Sequence, residues 1–213
     1  MKTFEAIIFD MDGVIVDSEP LHERAFLEVF EAMGYGASHG IHFPSYYGRS
    51  DKALWLDFLS KHNPPQPLDE LMDWKQHRLL DILRQEQPIF ETLPELVEKL
   101  SKRHGLALAS GSLHVVIDAV LAMKNLRQYF PIRVSVEDVN HGKPAPDVFL
   151  RAAELLGVKP RNCCVIEDSA AGVQAARSAD MQVIAITNTL PAERLAAATH
   201  IVETYEQIEK LLL

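Results

Sequence analysis

The sequence predicts an α/β fold, a parallel sheet covered by helices on both faces, with a helical domain inserted after the first strand. Three observations carry this. From Leu93 onward, short apolar runs alternate with helical patterns, which calls for crossover connections and a parallel sheet. Near the start, three helices follow the first strand with no strand between them. Three of the apolar runs also end abruptly in polar residues, as strands do at the chemically active edge of an open α/β sheet.

The elements follow in order. Ala6 to Phe9 is an apolar run that reads as a strand buried on both faces, and it stops at Asp10-Met11-Asp12-Gly13. Alternation sends residues i and i+2 the same way, so Asp10 and Asp12 can start on one side, and Gly13 lets the chain turn away. A helix is expected from near Glu19-Pro20, with Leu21, Ala25, Phe26, Val29, Phe30 and Met33 as its apolar stripe and Gly34 and Gly36 as its stop. A second helix covers Ser50 to Lys61, Asn63 to Pro67 is a loop, and a third helix runs from about Leu68 to Arg84. The inserted domain is therefore placed at residues 16–89, between core segments 1–15 and 90–213, with Pro88 marking the return. Trp55 and Trp74 read as core of that insert.

Beyond it, the expected order has a helix over Pro94 to Arg103 and a strand over Leu106 to Ala109, ending in Ser110-Gly111-Ser112. A helix over Leu113 to Lys124 and a short strand from Ile132 to Ser135 come next. A helix over Asp147 to Leu156 then precedes the strand Cys164 to Ile166, which ends in Glu167-Asp168. The chain continues with a helix over Ala170 to Ala179, a strand over Gln182 to Ile186, a helix near Ala192 to Ala197, a strand at His200 to Val202 and a terminal helix.

Composition narrows the function. The 213 residues are 47% hydrophobic and 24% charged, enough apolar material for a substantial core. A formal net charge of −9 argues against nucleic acid or an anionic membrane as the main partner. No apolar stretch approaches the roughly 20 residues that span a bilayer, and a cytoplasmic location is expected. The only cysteines, Cys163 and Cys164, are adjacent on a strand and point to opposite faces, so packing rather than a disulfide or a metal site is expected of them.

Asp10 and Asp12, Ser110 and Ser112, and Glu167 and Asp168 all follow strands, and the loop His141-Gly142-Lys143-Pro144 adds a cation. Singly, each has an ordinary reading as a turn, a cap or a solvated loop. Together, two close carboxylates in an apolar setting need a cation or a shared proton. In this order the residues resemble the four motifs of the haloacid dehalogenase superfamily: D-x-D-G-x-x-x-D over Asp10 to Asp17, Ser110 after a hydrophobic strand, Lys143 in G-K-P-A-P-D, and I-E-D-S-x-x-G with Glu167 and Asp168. The insertion is similar to the helical cap of the branch that holds beta-phosphoglucomutase and phosphoglycolate phosphatase. The resemblance covers almost the whole chain and implies a Rossmann-like parallel sheet core with an inserted helical cap domain.

It also implies roles. Asp10 would be the nucleophile that forms an aspartyl phosphate, and Asp12 the acid and base that serves the leaving group and then water. Mg²⁺ would bind Asp10, Asp12 through its carbonyl, and Asp168, with Glu167 in contact or just behind. Ser110 would bond the phosphoryl group and Lys143 would neutralise charge. Dehalogenases need no general acid where Asp12 stands, and phosphonate-cleaving relatives carry a small residue there, so Asp12 fits phosphate monoesters. Gly111, Ser112, His22, Arg49 and Lys75 are the candidate substrate-binding residues, although His22, Arg49 and Lys75 also read as solvated surface groups.

Three departures stand out: Ser18 where the mutase commonly has Thr, Glu91-Thr92 where many relatives have Pro-Gly, and Ser112-Leu113-His114 without the mutase's Lys-Asn pair. The expected function is a Mg²⁺-dependent phosphatase of a small phosphorylated metabolite, a sugar phosphate, acting as a monomer without nucleic-acid or membrane partners. A beta-phosphoglucomutase-type phosphotransferase is the alternative. A catalytically silent binding module would require the loss of a core residue, and none is lost.

Overall fold

The computed structural model describes residues 4–46 and 50–213. The chain divides into two compact units, Met1–Asp17 with Pro88–Leu213, and Ser18–Gln87. The first unit is built on six parallel strands: β1 (Ala6–Phe9), β2 (Gly105–Ala109), β3 (Ile132–Val134), β4 (Cys163–Glu167), β5 (Gln182–Ile186) and β6 (His200–Val202), in the order β3-β2-β1-β4-β5-β6. Successive connections run outward from β1 to β3 and then jump back across β1 to β4. Between β2, β1 and β4 the winding therefore reverses, and a crevice opens at the carboxyl ends of these strands. Register keeps their tips level, since Phe9 lies beside both Leu108 and Ile166.

Side-chain alternation feeds two cores. One sheet face carries Ala6, Ile8, Ala107, Ala109, Cys163, Val165, Val183 and Ala185. Helices α6 (Asp147–Leu156) and α7 (Ala170–Ser178) cover it with Val148, Phe149, Ala152, Val173 and Ala176. On the other face Phe9 meets Phe130 edge-on, with ring centroids 5.5 Å apart. Helices α4 (Leu93–Ser101), α5 (His114–Ala122) and α8 (Tyr205–Leu212) complete the unit. The helix expected near Ala192 to Ala197 is instead one 3₁₀ turn, Ala192–Leu195, a piece too short to hold α-helical bonds.

The second unit holds α1 (Glu19–Ala32), α2 (Asp51–Lys61) and α3 (Leu68–Glu86). Helix α3 runs two residues past the expected Arg84 and stops at Gln87, whose left-handed φ of 48° precedes Pro88, where α conformation is disfavoured. The boundary falls at Asp17 and Pro88 rather than at residues 16 and 89. Val16 bridges Ile89, and Asp17 N donates to Pro88 O at 2.9 Å, which keeps both connecting segments with the sheet unit. The interior of the helical unit is aromatic. Phe30 lies 4.6 Å from Phe58 and 5.5 Å from Trp55, and Trp74 packs against the same cluster.

Lys75 is buried in the helical unit, and so is not a solvated surface group. Its Nζ donates to Asp51 Oδ2 at 2.6 Å, contacts His22 Nδ1 at 2.7 Å and lies 4.8 Å from the centre of the Phe26 ring. Burial alone would raise the Asp51 carboxyl, but the Lys75 ammonium and the His22 ring reverse this and hold it well below the usual carboxylate range. Breaking such a pair from one side strands the other charge, so Asp51→Asn should cost on the order of 3 kcal/mol. Because the folded carboxyl titrates below its unfolded value of about 3.9, the pair contributes fully above that pH and fades as the pH falls through it. The gap in Tm between wild type and Asp51→Asn should therefore be wide near neutrality and shrink on acidification.

Cys163 and Cys164 are buried free thiols on opposite sheet faces, and burial pushes them up to about 11 and about 12. Neither should react with a thiol reagent in the native protein at neutral pH, and both should react on unfolding; mass spectrometry of the alkylated protein reads this directly.

Candidate active site

Asp10 follows β1, and its backbone N–H donates to Ile166 O at 2.9 Å, which fixes it beside the end of β4. The chain then folds tightly: Ile15 N donates to Met11 O at 2.7 Å and Gly13 N to Val16 O at 2.8 Å. Gly13 has a φ of +71°, and a Cβ there would lie 1.8 Å from Asp168 Oδ2. Only glycine satisfies both the turn and the approach of Asp168.

Lys143 is the charge centre. Its Nζ lies 2.7 Å from Asp10 Oδ1, 2.6 Å from Glu167 Oε1 and 4.8 Å from the centre of the Phe149 ring. It is joined to Pro144 by a cis peptide bond. Glu167 is fully buried, and its second oxygen accepts from Asp168 N at 2.8 Å, Ser169 N at 2.7 Å and Ser169 Oγ at 2.9 Å. A Cβ on Gly172 would lie 1.6 Å from Glu167 Oε1, which explains the glycine at that place in α7.

Asp10, Glu167 and Asp168 each bring an oxygen within 4.8 Å of the others, and all three are buried. Burial pushes the Asp10 carboxyl up to about 8; Lys143 pulls it down, while Glu167 and Asp12 push it further up. Asp168 is likewise raised well above the usual range, by burial and then by Glu167 and Asp10. Burial alone would lower the Lys143 ammonium, but the Asp10 and Glu167 carboxylates outweigh it and hold the group above the usual lysine range. One ammonium does not balance three carboxylates. The hard, all-oxygen donor set fits a small divalent cation of the magnesium type.

Ser110 is buried after β2, and its Oγ accepts from Ser112 N at 2.9 Å. Ser112 Oγ donates to Asp12 Oδ2 at 2.8 Å, tying the second loop to the first. Gly111 is exposed at the loop tip. The His114 ring pairs with Asp138 at 2.9 Å, and its backbone N–H donates to Glu137 Oε2 at 2.7 Å.

The sheet unit thus gathers Asp10, Asp12, Ser110, Ser112, Lys143, Glu167 and Asp168. His22 and Lys75 belong to the helical unit, joined by Asp51, which the sequence reading did not select. Arg49 lies outside the described residues. Sequence reasoning also passed over Thr189, whose side chain hydrogen-bonds Asp168, and Asn188, whose Nδ2 donates to Gly13 O at 2.8 Å. The signal was available: Thr187-Asn188-Thr189 is a fourth polar cluster directly after a strand, β5.

A family model of haloacid dehalogenase-like hydrolases matches residues 4–180. The chain is 34% identical over 193 residues to the fructose-1-phosphate phosphatase YqaB of Escherichia coli (strain K12), covering 86% of this chain and 96% of that protein. It is 35% identical over 186 residues to hexitol phosphatase B of the same strain, covering 85% and 82%. The crystal structure of beta-phosphoglucomutase from Clostridium difficile aligns with a TM-score of 0.83 at 25% identity, over 98% of this chain and 96% of that one. The strand-tip residues therefore sit in a chain that belongs to the haloacid dehalogenase-like hydrolases, an enzyme family, and within them to the beta-phosphoglucomutase and phosphoglycolate phosphatase-like branch.

Proposed function

We propose that the protein is a Mg²⁺-dependent phosphatase of a small phosphate monoester, a phosphorylated sugar or sugar alcohol. The observation that carries this reading is the Asp10 carboxylate, held at 2.7 Å by Lys143 beside the Asp168 carboxylate, with Asp12 two residues on. Asp10 attacks phosphorus as the bond from phosphorus to the sugar oxygen breaks, and Asp12 delivers a proton to that oxygen. Water then attacks the aspartyl phosphate, Asp12 takes its proton, and inorganic phosphate leaves with Asp10 restored.

Lys143 balances the charge that gathers on Asp10 and the phosphoryl oxygens. Ser110 and the loop through Gly111 and Ser112 hold those oxygens, and Ser112 also orients Asp12. Asp10, Asp168 and the Asp12 carbonyl would hold Mg²⁺, which supplies neutralisation of the phosphate and of the carboxylate cluster. Glu167 already meets Lys143 with one oxygen and three donors with the other, so its part is to fix Lys143 and Asp168.

In the helical unit Lys75 and His22, together with Arg49, are the residues proposed to select the rest of the substrate. The sugar-phosphate class is supported by the named activities of the two E. coli relatives. The likeness to a beta-phosphoglucomutase favours a second reading, phosphoryl transfer back to a sugar hydroxyl. The commitment of His114 to Asp138, where the mutases carry Lys-Asn, speaks for hydrolysis.

Purified protein screened against phosphorylated metabolites should release inorganic phosphate from hexose or hexitol phosphates. With beta-glucose 1-phosphate and a trace of the bisphosphate, accumulation of glucose 6-phosphate instead would establish the mutase. Asp10→Asn should lose turnover by at least about a thousandfold while keeping its Tm within a few degrees, and retained activity would refute the nucleophile. Mg²⁺ should raise the Tm of the wild type as a ligand of the native state, chelation should reverse the rise, and Asp168→Asn should not show it.

A further inference from the structure

The turn that carries Asp12 is gripped from outside by two residues with no place in the reaction above. Tyr205, the first residue of α8, donates its hydroxyl to Val14 O at 2.7 Å. Asn188, in the loop after β5, donates its Nδ2 to Gly13 O at 2.8 Å and to the Tyr205 hydroxyl at 3.0 Å. The carbonyls of the two residues that follow Asp12 are thus held by one small network reaching from the last helix and the fifth strand. Tyr205 is 8% exposed, and its contact with Val14 is buried, where losing a donor strands the acceptor at full cost. Its ring also lies 5.7 Å from Phe90, whose backbone N–H donates to Ile15 O at 3.3 Å. One phenol therefore touches both chain segments that enter and leave the sheet unit.

The turn needs such a grip. Gly13, with no side chain, does not by itself fix where the turn's carbonyls point, and the Ser112 hydroxyl bonds the Asp12 carboxylate from the neighbouring loop. A proton donor must meet the leaving oxygen within hydrogen-bond reach, and a displacement of a fraction of an ångström is felt in rate.

We propose that Tyr205 and Asn188 are positioning residues for proton transfer at Asp12: by holding the Gly13 and Val14 carbonyls they set where the Asp12 carboxylate stands. The inference rests on Asp12 being the general acid of the proposed phosphatase. It predicts an effect that tracks the leaving group. A sugar alkoxide must be protonated as it departs, whereas p-nitrophenolate leaves without a proton. Because kcat/KM reports steps only through the first phosphoryl transfer, the ratio of kcat/KM for a sugar phosphate to that for p-nitrophenyl phosphate isolates the acid.

Tyr205→Phe should lower this ratio by about fivefold or more, a partial loss of the 10²–10⁴ that a general acid supplies. Asn188→Ala, at an exposed position, should lower it in the same direction and serves even if Tyr205→Phe fails to fold. Asp12→Asn is the control and should lower the ratio by about a hundredfold. If Asp12→Asn lowers the ratio and neither other variant does, whether or not they lose Tm, the positioning role is wrong and the grip is only structural. If Asp12→Asn leaves the ratio intact, the general-acid assignment fails and the inference with it.

Discussion

One ammonium group between two buried carboxylates organises the crevice at the carboxyl ends of the strands. Lys143 reaches Asp10 and Glu167 at hydrogen-bond distance, and it draws the Asp10 carboxyl down against the burial that raises it. Buried charges are tolerated only when each is paired and its remaining hydrogen-bonding capacity is met. Glu167 meets that condition completely. Asp10 and Asp168 do not, and their raised titration ranges express the deficit. A site with negative charge in excess, lined by oxygen, suits a small hard cation.

The sheet makes that pairing attainable. The contributing segments are far apart in sequence and meet because the winding reverses at β1, which leaves the tips of β2, β1 and β4 level and open. Two glycines then permit contacts that no side chain would allow, Gly13 against Asp168 and Gly172 against Glu167. Their requirement is set by the carboxylate oxygens facing them as much as by local conformation.

The helical unit obeys the same rule on a smaller scale. Its aromatic core encloses a lysine, and the lysine is satisfied by Asp51, His22 and the face of Phe26. A cation held this way is stiff, because each of its three neighbours fixes the ammonium from a different side.

The amino-acid sequence by itself determined the alternation of strands and helices, the helical insertion and the polar strand ends, because these follow from local periodicity and from where apolar runs stop. Helix α1 shows this well: its buried Leu21, Ala25, Phe26, Val29 and Phe30 are the residues spaced to share one face. Asp10, Ser110, Glu167 and Asp168 were legible for the same reason, as residues at strand ends, whereas Lys143, in a loop, stood out only through the family motif it resembles. Only the tertiary structure decided what long-range contact assigns. It turned Lys75 from an ordinary helix-face lysine into a buried ion pair with Asp51, committed His114 to Asp138, and reduced Ala192–Leu195 to a single 3₁₀ turn. It also tied Asn188 and Tyr205 to the turn beside Asp12, across 175 residues for Asn188 and Gly13 and 191 for Tyr205 and Val14. Sequence separations of that size leave no periodic trace, since hydrogen-bond partners are chosen by how the layers pack rather than by the neighbours along the chain.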